Sequence, residues 1–208
     1  MPDLARGAGA DARLRADLAV AACLFWMGRF ADARGWLPDT DAGGDYPGWI
    51  LALRGEREAA LARRANAMLG FFLDAPELCL REIGTPDTPI AAANAALLRY
   101  WAQSRLGGRG DEAAAQGALA TLRRLAPCEE ARGMAIYAVA AFQQHPIAAL
   151  PHLDHALDLF ARFGLHYLEA RLFGLKARAL DASGLLADAG RFQRAAAEAE
   201  RRQGLLAA

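Results

Sequence analysis

Gly28-Arg-Phe-Ala-Asp-Ala33 and Gly184-Leu-Leu-Ala-Asp-Ala189 repeat one pattern, once near each end of a chain of 208 residues. In both, a large apolar residue (Phe30, Leu186) stands two places after the glycine and an alanine stands five places after it. Gly55 with Ala60, and Gly110 with Ala115, keep the same glycine-to-alanine spacing. Glycine permits the positive φ that ends a helix, the apolar residue pins the turn, and alanine lets the next helix cross closely. Each segment therefore reads as the joint of an antiparallel helix hairpin.

The rest of the chain agrees with an all-α fold. Ala and Leu dominate, whereas Val occurs only at Val20 and Val139 and Thr at four positions. Strands need β-branched residues to pack a pleated surface, and helices favour Ala and Leu. Segments 11–27, Phe30 to Leu37, Tyr46 to about Gly55 and a longer stretch through Phe72 read as helices, with a Pro/Asp/Gly-rich loop from Pro38 to Pro47. Asp74-Ala-Pro-Glu77 reads as a capping box, and Thr88-Pro89 as an N-cap and first helical position. Helices follow to Leu106, over Asp111–Leu125 with Pro127 as its stop, and over Glu129–Gln144. The last three start or kink at Pro151, span Tyr167–Ala182 and span Leu185–Arg202. That makes ten or eleven helices in one domain over 1–208, with 38–88 irregular.

Net charge is zero, with 24 basic and 24 acidic side chains, which disfavours direct phosphate-neutralising contact with nucleic acid. Arg123, Arg124 and Arg132 read as helix-surface charge. Cys23, Cys79 and Cys128 are odd in number and widely spaced, as expected of reduced thiols in a cytoplasmic protein. The apolar run Leu18–Gly28 lacks a basic start and is too short to span a bilayer.

These joints resemble the tetratricopeptide repeat, in which a turn glycine and an early small residue recur about every 34 residues. Ala149, Leu153 and Ala156-Leu157 are similar to its second helix, with Gln144 where the turn glycine belongs, and Leu125-Ala-Pro127 to a repeat end. Phe160-Ala-Arg-Phe163-Gly164 and Glu169-Ala-Arg-Leu-Phe173 are similar to the longer repeats of bacterial signal-sensing transcription regulators. The spacing is irregular, and residues 38–88 carry little of the pattern.

The resemblance implies a short right-handed solenoid with a concave groove lined by the first helix of each pair. Arg15, Phe25 and Trp26 line it in the first unit, and Tyr100, Ser104 and Arg105 in the third. Met134 and Phe142 follow in the fourth, and Arg171 and Arg178 in the last. Phe25, Trp26, Met134 and Phe142 also read as plain core. The implied function is a non-catalytic scaffold or adaptor that binds a protein or peptide in the groove; a second copy of the chain is another partner, and no membrane is involved. The alternative is a ligand-sensing module, whole or detached from a bacterial regulator.

A third reading places a metal-dependent enzyme at His145, His152 and His155, with Asp154 and Asp158 nearby. His152, His155 and Asp158 share a helix face, but no hydrolase spacing is present. Ser104 and Ser183 are the only serines and neither sits in a nucleophile elbow, Cys128 has no base beside it in sequence, and Gly107-Gly108-Arg-Gly110-Asp lacks the Lys-Ser/Thr of a phosphate loop. No metal and no cofactor are expected.

Overall fold

The computed structural model describes residues 2–37 and 44–205; most of the expected Pro38–Pro47 loop lies outside them. The described residues form twelve α-helices and no strand. In chain order they are α1 (Pro2–Trp26), α2 (Phe30–Arg34), α3 (Tyr46–Leu53), α4 (Arg57–Leu61), α5 (Ala67–Phe72), α6 (Pro76–Glu82), α7 (Pro89–Arg105), α8 (Glu112–Leu125), α9 (Pro127–Gln144), α10 (Leu150–Phe163), α11 (Glu169–Ala182) and α12 (Leu186–Gln203). None of these is long and apolar enough to cross a membrane.

The joints work as their residue types demand. Gly28, Gly55 and Gly184 all have φ above +70°, where a side chain would be strained. Ala33, Ala60 and Ala115 are fully buried and Ala189 nearly so, because the paired helices cross at these methyl groups. Gly110 differs. The left-handed turn after α7 falls to Gly107 (φ 77°), while Gly110 is pressed against Tyr100, where a Cβ would lie 2.5 Å from the ring.

Other boundaries depart from expectation for local reasons. The stretch expected to run unbroken through Phe72 splits into α4 and α5, because the Asn66 side chain caps α5 by accepting from Leu69 N at 2.8 Å. α8 ends at Leu125 as expected, because Pro127 keeps Ala126 before it out of the helical region (φ −154°, ψ 75°); the same proline opens α9 two residues earlier than expected, since a first-turn proline loses no hydrogen bond. Pro151 likewise sits in the first turn of α10 and leaves it unkinked by any lost bond. Thr88 caps α7 as expected, accepting from Ala91 N at 3.1 Å.

From α7 onward the hairpins stack in order: α7 packs on α8 and α9, α9 on α10 and α11, and α11 on α12. The shorter N-terminal helices fold against this stack. The backbone N–H of His166, just before α11, donates to Trp26 O at the end of α1 (2.8 Å), and Arg171 reaches Phe71 O (3.2 Å). Phe25 is fully buried at the meeting point, with ring contacts to Phe30, Trp49, Phe72 and Tyr167. One continuous hydrophobic cluster thus runs from Phe25 to Ala179.

Candidate functional site

The ten residues read as groove-lining divide sharply. Phe25, Met134 and Phe142 are buried, in line with their reading as plain core, and Tyr100, expected on the groove wall, is buried with them: their apolar surface is worth more against other helices than against water. Ser104 is buried as well. Its hydroxyl donates to Tyr100 O (2.9 Å) and accepts from Gln144 Nε2 (2.8 Å), so it ties the ends of α7 and α9 together. Gln144, expected to stand in for a turn glycine, is there for this bond. Arg15 is exposed on α1 and does not line the cleft described below. Trp26 is half-buried beside Tyr46 and Tyr167.

Arg105, Arg171 and Arg178 come together. A cleft of 530 Å³ runs between α3 and the end of α5 on one side and α11 and α12 on the other, with Gln143 of α9 at its edge. Arg171 and Arg178 project from α11 two turns apart, which places them about 10 Å apart along the helix axis. Arg178 is exposed and lies over the Phe142 ring at 5.0 Å; Arg171 lies over the Phe71 ring at 4.6 Å.

Asp74 organises the charges. It was expected to cap α6, but Ala75 occupies that position and no side chain caps the helix. Asp74 adopts φ 52°, the only non-glycine residue with positive φ among those described, and turns its carboxylate to the guanidinium groups, which bind it more strongly than a backbone amide would. Arg105 engages both carboxylate oxygens, with Nε at 3.0 Å from Oδ1, and also donates to Gln143 Oε1 (3.1 Å). Arg171 stands farther away, 3.9 Å from Asp74 Oδ1. Burial, with Arg105 adding repulsion, pushes the Arg171 guanidinium down to about 10 against the pull of Asp74, so it stays charged at neutral pH.

The histidine cluster spreads apart. His152 meets the Tyr137 ring edge-on at 5.0 Å, Asp154 pairs with Lys176 of α11, and His145 and His155 are exposed. Among the described residues no three His, Cys, Asp or Glu side chains converge as a metal site would require. Sequence reasoning missed Asp74, Gln143 and Glu200 as cleft residues. The position of Asp74 just ahead of a Pro-x-x helix start marked it as special, but for the wrong partner. No family model matches the chain, and no curated protein or solved structure is significantly similar to it.

Proposed function

We propose that this chain is a non-catalytic binding module, built of tetratricopeptide-like helix pairs, that holds an extended acidic segment of a partner protein in the cleft between α5 and α11. The observation that carries this reading is the state of Arg171. It is a half-buried cation whose nearest carboxylate, Asp74, stands 3.9 Å away and is already engaged by Arg105 through both oxygens. A partner carboxylate supplies what Asp74 does not. The repeat-like reading draws support from the ordered stacking of α7 to α12 and from the buried alanines at the joints.

The spacing defines the segment. Arg171 and Arg178 are about 10 Å apart, and a peptide in the polyproline II conformation advances about 3.1 Å per residue and returns to the same face every three residues, so acidic residues three apart meet both guanidinium groups. Fluorescence anisotropy with a labelled Glu-Ala-Ala-Glu-type peptide, an Ala-only peptide and a Lys-containing one tests this. The acidic peptide binds selectively and loses affinity with rising salt. Arg178→Gln weakens it about tenfold, the worth of one charge-assisted hydrogen bond, and Asp74→Asn tightens it by removing a like charge from the cleft. Equal binding of the neutral peptide, or no effect of Arg178→Gln, removes the reading.

A further inference from the structure

A second cleft, of 540 Å³, opens between the end of α1, the start of α9 and the end of α10, and shares only Tyr167 with the cleft of Arg171 and Arg178. Cys23 and Met27 stand one turn apart at the end of α1, where Met27 N donates to Cys23 O (3.0 Å). Cys128 and Arg132 stand one turn apart on α9. All four line this cleft. Among the described residues, Cys23, Met27 and Cys128 are the exposed cysteines and methionine, whereas Met68, Cys79 and Met134 are buried. Every exposed sulfur-bearing side chain therefore gathers at one place.

The half-buried Trp26 and Phe163 rings complete the apolar wall. Arg132 sits over the Trp26 ring at 6.0 Å from its centroid, the outer limit of such a contact, so the ring is not closed off by it. Polarisable sulfur, ring edges and a guanidinium each favour an aromatic ring over a saturated one.

The polar part of the cleft is a single ion pair. Arg132 Nη2 donates to Glu129 Oε2, which also accepts from Asn94 Nδ2 (3.3 Å). The two side chains remain 17% and 34% exposed, so both are within reach of a visitor. Glu129 Oε1 and the other N–H groups of Arg132 make no hydrogen bond to described residues. The pair is neutral in sum and offers a donor edge beside an acceptor edge.

The geometry points to a binding site for a small uncharged aromatic molecule that carries a primary carboxamide. Its ring lies among the sulfurs and rings, its carbonyl oxygen accepts from Arg132, and its amide N–H donates to Glu129 Oε1. A carboxylate in that place meets Glu129 as a like charge and has no donor to give it; an ammonium meets Arg132 as a like charge and has no acceptor. The volume falls in the range of about 300–1,000 Å³ that small-molecule pockets occupy. This site stands whether or not the acidic-peptide reading does.

Thermal shift on the whole chain tests it with benzamide as probe, benzoate and benzylamine as charged controls, and cyclohexanecarboxamide as the saturated one. At about 10 mM, tenfold over a Kd of about 1 mM for a ligand of this size, benzamide raises Tm by about 3–6 °C and the three controls raise it little. At that excess iodoacetamide labels Cys23 and Cys128 about tenfold more slowly, because only about one molecule in eleven has an open cleft, and this locates the probe. Glu129→Gln leaves Arg132 unbalanced and turns the preference to benzoate; Arg132→Gln leaves Glu129 unbalanced and turns it to benzylamine, each shift at least about tenfold. Glu129→Gln is isosteric and keeps the test decisive if Arg132→Gln fails to fold. No benzamide response at about 10 mM, equal response to benzoate or cyclohexanecarboxamide, unchanged labelling of both thiols, or an unaltered charge preference in Glu129→Gln overturns the proposal.

Discussion

Cys79 and Gly70 touch across the crossing of α5 and α6, and each carries a prediction. A Cβ on Gly70 would lie 2.5 Å from Cys79 N, so Gly70→Ala must drive the two helices apart. Overpacking of this kind costs about 3 kcal/mol, read as a lower denaturant midpoint. Burial pushes the Cys79 thiol up to about 12 from its ordinary 9.0, while Cys23 and Cys128 are exposed. An unfolded thiol thus loses its proton near pH 9 and the folded one only near 12. Between those values the unfolded state binds fewer protons, so the stability contributed below pH 9 is lost as pH rises. Cys79→Ala flattens that part of the alkaline stability profile, and iodoacetamide labels two of the three cysteines until the chain is unfolded. At this scale the glycine-to-alanine joints were legible, because positive φ and close crossing leave few residue choices. Gly70 was not: its reason is a neighbour nine residues on, in a helix the sequence had only sketched.

At the scale of elements, the long helices were legible and the short ones were not. From α7 to α12 each helix runs 14 to 18 residues, enough for apolar periodicity and capping to agree. The helices α2 to α6 have five to eight residues each, too short to be stable alone, so tertiary packing decides where they stop. Asn66 illustrates this, since it caps α5 and also receives the Trp49 indole of α3. Asn66→Ala loses both bonds and costs about 2 kcal/mol, a larger loss than Thr88→Ala at about 1 kcal/mol, where only the cap of α7 is removed. Thermal melts of the two variants side by side check the order. Ala115→Leu tests the crossings, because the fully buried methyl between α7 and α8 has no room for an isobutyl group; about 3 kcal/mol is the expected loss. The same logic explains the candidate site. Arg171 and Arg178 were found from their shared helix face, whereas Asp74 and Gln143 reach the cleft through the packing of α5 and α9, which no spacing within one helix reveals.

The molecule as a whole is bound end to end. An open solenoid touches only its neighbours and unwinds piecemeal, but here Phe25 and Trp26 pack on Tyr167, and His166 donates to Trp26. Phe25→Ala is therefore expected to cost about 4 kcal/mol, and the intact chain to unfold in one transition by circular dichroism and tryptophan fluorescence alike. Two separated transitions would mean that the N-terminal helices and the later stack are not coupled. Nothing in the sequence placed residue 25 beside residue 167, since periodicity is blind to contacts so distant. The same contact has a consequence during translation. Phe25 and Trp26 leave the ribosome long before Tyr167 is made, and at about 5–20 residues per second they wait on the order of ten seconds for that partner. Throughout that interval the nascent chain carries an unsheathed aromatic tip, the natural grip for a chaperone and the first place it would stick to a neighbour.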